Sequence, residues 1–160
     1  MVLLTIWLSL IFYASAITVH FLVEDAVKRE KTYRILWRAG CLSAVIHVLC
    51  AFHFEHQWEH QTAVNHTIEE TKRVTGFTFA YGIYFNYLFL LIWTIDCFSS
   101  ANHSRWSRFV HGYMLLIIIS ATIVFEDGPI RYISLATGMA LTLLWLRRRK
   151  AGGQLDSWIS

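Results

Sequence analysis

The 160-residue sequence predicts an all-α, polytopic helical membrane protein, with about five transmembrane helices in a small bundle. Three observations predict it. Apolar residues make up 56% of the chain and charged residues only 16%, whereas soluble domains are about 45–50% apolar and about 25% charged. Five long apolar runs alternate with short polar connections, and the whole chain holds one proline, Pro129. The length allows a single domain, taken as residues 1–150, followed by a mobile cytoplasmic tail at 151–160.

The first apolar run is Val2 to Val23, long enough for the about 20 residues that cross a hydrocarbon core. Ala14-Ser15-Ala16 resembles a signal-peptide cleavage site, but no basic segment precedes it and the apolar run continues beyond it. The segment is therefore expected to stay as a span. The second run is Ile35 to Phe54 and the third is Gly76 to Phe98. Ahead of the third, the tetrapeptide TIEE from Thr67 to Glu70 has capping-box spacing, which predicts a helix starting near Ile68. The fourth run, Phe109 to Phe125, and the fifth, Ile130 to Leu146, are joined by the short link EDG. Pro129 then stands at the start of the fifth helix, where proline is favoured. Lipid leaves no partner for an unpaired backbone group, so all five runs are expected to be helical.

Basic residues set the expected orientation. Lys28, Arg29, Lys31, Arg34, Arg38, Arg105, Arg108, Arg147, Arg148, Arg149 and Lys150 fall on one side, against Lys72, Arg73 and Arg131 on the other. Eleven against three places the amino terminus outside and the carboxy terminus in the cytoplasm, in a plasma or inner membrane. The expected partner is the lipid bilayer, with a homo-oligomer or a larger membrane complex as further assemblies. Nucleic acid is not expected, because the net charge of +3 comes from short clusters rather than a basic stripe. Cys41, Cys50 and Cys97 contain no CxxC and read as small packing residues.

The stretch HVLCAFHFEHQWEHQTAVNH, residues 47–66, carries five of the eight histidines. If the second helix continues through residue 60, then His53, His56 and His60 fall within an arc of about 60°. His56 and His60 then have the four-residue spacing with which two imidazoles share a metal ion on a helix. Glu126 and Asp127, in the outer turn, lie at a similar depth and complete a candidate set for zinc, copper or iron. The competing reading is an amphipathic helix end wetted by histidines and anchored by Trp58. His47 and Asn86 lie deep within apolar runs and are intramembrane polar candidates, with a direct contact between them as one hypothesis. Thr78, Gly82 and Asn86 would form one small-polar seam. Haem is the lesser cofactor expectation. Its one depth-matched pair is His20 with His111.

No phosphate loop, GxSxG or HExxH motif occurs. Three function classes remain: a metal-binding membrane module, a non-catalytic structural or assembly subunit, and, least favoured, an intramembrane metalloenzyme.

Overall fold

The computed structural model describes residues 2–99 and 104–125, with helical positions at 132, 135, 136, 138–140, 142 and 143. The turn with Glu126 and Asp127, Pro129, the tail, and most of the expected fifth span lie outside the described residues. Within them the fold is all-helical, five helices joined by short connections, without strands. Helix α1 is Val2–Leu22, α2 is Ala26–Phe54, α3 is His60–Thr75, α4 is Gly82–Phe98 and α5 is Ser104–Phe125.

Two of these, α1 and α2, are long and apolar enough to cross a membrane, and α4 is a shorter apolar helix of 17 residues. At about 1.5 Å per residue, α1 spans about 31 Å, close to the about 30 Å of a hydrocarbon core. Its 21 residues run unbroken through Ala14-Ser15-Ala16, and Tyr13, Ala16 and Ile17 are buried. Helix α2 starts where Asp25 Oδ1 accepts the backbone N–H groups of Val27 and Lys28, both at 3.0 Å. These bonds satisfy two of the donors a helix start leaves open.

Small residues let α1 and α2 approach closely. Ser9 donates to the Gly40 carbonyl at 3.0 Å, and Ala16 and Ala44 are both buried. This packing suits lipid, where close backbone contact and dispersion replace the hydrophobic drive between helices. Around it, Tyr13, Trp37 and Trp93 form an aromatic core with ring centres 5.3–6.0 Å apart. Val110 and Met114 of α5 close it from another side.

The structure corrects the expected chain path near the histidines. Helix α2 does not continue through residue 60. It stops at Phe54, and Gln57 (φ 49°) and Trp58 (φ 62°) take the left-handed conformation that L-residues avoid. The backbone reverses there, held by Trp58 N–H to Phe52 O at 2.9 Å and Glu59 N–H to His56 O at 2.8 Å.

Helix α3 is a separate polar helix that begins at His60 rather than Ile68. The capping box is not formed, because Thr67 lies mid-helix and donates back to Ala63 O at 3.0 Å. Helix α3 ends on Gly76 (φ 77°), whose N–H reaches Lys72 O at 2.9 Å, a left-handed terminus that glycine adopts without strain. The third apolar run is correspondingly shortened, with Gly82 rather than Gly76 opening α4. Thr78 lies before that helix, so it shares no helical seam with Gly82 and Asn86. Gly82 instead faces α3, where a Cβ would stand 2.9 Å from Thr67 Cγ2.

Candidate functional site

The helices frame a half-open cavity of about 520 Å³, within the about 300–1,000 Å³ range of small-molecule sites. Its inner part is apolar and aromatic, lined by Leu10, Tyr13, Ala44, Phe89, Leu90 and Trp93. His47 and Asn86 stand partway along it, and its outer end carries Glu55, His56, His66, Glu70 and Arg73. Every element from α1 to α5 contributes. One end is thus chemically like hydrocarbon and the other like a charged surface.

The local fold explains this gradient. Helices α1, α2 and α4 turn buried apolar and small residues inward. Helix α3 presents Ala63, His66, Thr67 and Glu70, which fall at helical spacings on one face, to the cavity. Arg73, one turn further, donates to Glu70 Oε2 at 2.5 Å. That exposed pair fixes two side chains but adds little stability.

The three histidines expected to align are not brought together. His53 Nδ1 accepts from the Trp58 indole N–H at 3.2 Å. His60 Nδ1 lies 3.1 Å from the Tyr87 hydroxyl, and its Nε2 lies 3.5 Å from that of Tyr84. His56 turns toward α3, where its ring centre lies 5.5 Å from that of His66, with the rings tilted by 52°. The break at Gln57 and Trp58 is the physical reason, since it ends the helical phase on which alignment depends. Among the described residues, no three His, Cys, Asp or Glu side chains are gathered to hold one metal ion. Glu126 and Asp127 fall outside those residues.

His56 is held below the usual imidazole range, first by burial and then by the neighbouring His66, against an opposing pull from Glu55. Its neutral form is therefore favoured in the folded chain.

His47 does not hydrogen-bond Asn86. Its Nδ1 lies 3.1 Å from the Val2 carbonyl and 3.3 Å from Thr5 Oγ1, which ties α2 to the first turn of α1. Both candidates nevertheless line the same cavity.

A second cavity, of about 120 Å³, lies at the opposite end of the bundle among Tyr33, Trp37, Arg38, Asp96, Trp106 and His111. It holds the pair considered for haem. Tyr33 stands against both rings, 5.6 Å from His20 and 6.3 Å from His111 between ring centres. The Tyr33 hydroxyl lies 3.4 Å from His111 Nε2. Trp106 donates to Asp96 Oδ1 at 2.8 Å, closing the space further. A cavity this small is below the usual range for even a drug-sized ligand.

Glu55, His66, Glu70 and Arg73 were not among the residues expected at a site. The four-residue spacing of His66 and Glu70 is visible in the sequence. Its meaning depends on knowing that a polar helix starts at His60. No protein-family model matches the chain, and neither a curated protein nor a solved structure shows significant similarity to it.

Proposed function

We propose that the chain is a five-span integral membrane protein that binds a small amphiphilic molecule in its inter-helix cavity. In this reading the amino terminus lies outside and the carboxy terminus in the cytoplasm. Membrane insertion is supported by large apolar side chains on outward faces, including Leu4 and Ile11 of α1, Leu42 and Leu49 of α2, and Leu91 and Ile95 of α4. A helix apolar on all sides is buried in protein or in lipid, and these side chains are exposed among the described residues. The distribution of lysine and arginine supports the orientation.

The observation that carries the binding reading is the cavity itself, with an aromatic inner wall and a charged outer end. The matching ligand has an apolar body and one hydrogen-bonding head. Its body would lie against Trp93 and Phe89, with His47 and Asn86 partway up and the head among the outer residues.

The test is extraction and mass spectrometry of small molecules retained by detergent-purified protein, beside an Ala51→Phe variant that fills the cavity. Ala51 lines the cavity and is half-buried, so the variant tests volume without removing a hydrogen bond. The parent is expected to retain one class of amphiphile, and an equally monodisperse variant to lose it. Equal retention by both would defeat the reading. No retained or added amphiphile in the parent would favour a structural or assembly subunit instead.

A second reading, transition-metal binding, is favoured by one separate observation: the approach of His56 to His66.

A further inference from the structure

We propose that His56 and His66 form a two-imidazole site for a divalent transition-metal ion at the outer end of the cavity, with Glu70 as the carboxylate a bound ion would draw in. The geometry of metal–imidazole bonding makes this concrete. A zinc–nitrogen bond is about 2.0–2.1 Å, and the ring centre lies about 1.1–1.2 Å beyond the nitrogen, so the ion sits about 3.2 Å from each centre. Two such ligands at a tetrahedral angle place their ring centres about 5.2 Å apart. The observed separation is 5.5 Å. That separation is compatible with a shared ion, and the 52° tilt is not that of stacked rings.

Both imidazoles stand on positioned backbone. His56 is anchored by its N–H to Ala51 O at 3.1 Å and by edge contact of its ring with Phe52. His66 lies within α3. What apposes them is the reversal at Gln57 and Trp58, two consecutive non-glycine residues at positive φ. Such strain tends to persist at functional sites, and here it turns the chain so that His66 of α3 comes to His56. Glu70 is one helical turn beyond His66 and is paired with Arg73, an exposed ion pair that a divalent cation can readily replace.

Two imidazoles and a carboxylate suit zinc, cobalt, nickel or copper(II). Remaining coordination positions would be left to water or to a group entering from the cavity. The inference stands on the histidine geometry and does not require that the cavity hold an amphiphile.

The experiment is titration of chelator-stripped, detergent-purified full-length chain with Co²⁺, followed by its visible d–d absorption, and then displacement by Zn²⁺. The expected result is about one ion per chain. Loss of affinity in His56→Ala and in His66→Ala should reach at least the about 10–100-fold that loss of an outer-shell partner alone produces. A His53→Ala/His60→Ala double variant should bind like the parent. Glu70→Gln should weaken binding without abolishing it. Zinc should also raise the melting temperature of the parent and leave that of His66→Asn unchanged, a readout that does not depend on the alanine variants folding well. Binding that survives both single alanine substitutions, or disappears only in the His53/His60 variant, overturns the assignment. So does a parent that binds no cobalt and gains no stability from zinc.

Discussion

Replacing Gly40 with alanine tests whether α2 packs as closely against α4 and α1 as the geometry indicates. A Cβ at position 40 would stand 2.9 Å from Trp93 Cζ2, 3.2 Å from Trp93 Cη2 and 3.3 Å from Phe12 Cβ. Carbon atoms in favourable contact stand about 3.5–4.0 Å apart, so the methyl lacks at least about 0.6 Å of room. Trp93 is 1% exposed and cannot retreat, since its ring already faces Tyr13, Trp37 and Phe89. Overpacking of this kind costs about 1–3 kcal/mol. Alanine also gains about 0.5–1 kcal/mol over glycine inside a helix, and that gain must be subtracted. Gly112 supplies the control, because a Cβ there meets nothing within 4 Å. The helix term is common to both variants. Gly40→Ala should therefore unfold about 1–3 kcal/mol more easily than Gly112→Ala, measured by circular dichroism in mixed detergent and dodecyl sulfate. Adding Trp93→Phe removes the benzo-ring atoms that meet the methyl and should recover part of the difference as a coupling energy. Equal unfolding midpoints for the two alanine variants would refute the close-packing account.

The helix break and the docking of α3 are open to similar tests. Gln57→Gly relieves one left-handed L-residue and should stabilise the chain by up to about 1 kcal/mol after the entropy of the added glycine is counted; a lower melting temperature would show that Gln57 contributes a contact outweighing that strain. Gly82→Leu drives a side chain into Thr67 Cγ2, 2.9 Å from the position of the new Cβ. Amide exchange across 60–75 should then accelerate about tenfold or more, the effect of about 1.4 kcal/mol of lost docking energy, and unchanged protection would contradict the packing. For orientation, single cysteines at Asn65 and Lys31 in a background lacking Cys41, Cys50 and Cys97 should differ toward an impermeant maleimide. Asn65→Cys should label on intact cells and Lys31→Cys only after permeabilisation, and the reverse pattern would invert the proposed topology.

The apolar helices were legible because a long run of hydrophobic residues marks a helix that could cross a membrane. The run from Val2 to Val23 became α1, and the run from Ile35 to Phe54 became the second part of α2. The chain between 55 and 81 was not legible in the same way. Its polar residues give no pattern strong enough to locate a break in the helix, and from Glu55 to Thr75 there is no glycine or proline to mark one. The stop at Phe54 rests on two residues, Gln57 and Trp58, in a conformation that residue type does not encode. A helical projection carried through that point therefore grouped His53, His56 and His60. The structure pairs His56 with His66 from the far side of the turn. The TIEE motif misled for a related reason: Thr67 can cap a helix or bond its own helix's carbonyl, and once α3 starts at His60 only the second remains open.

Between the reversal at Gln57–Trp58 and the glycine terminus at Gly76, the 16 residues of α3 form a polar cassette inserted between two lipid-compatible helices. In the proposed membrane reading, α1, α2 and α4 would meet hydrocarbon outside and close packing inside. One face of the cassette seats Ala63, Val64 and Thr67 against α4, and His66 and Glu70 line the cavity. A change within α3 therefore alters the polar end of the cavity while leaving in place the apolar wall built by α1, α2 and α4.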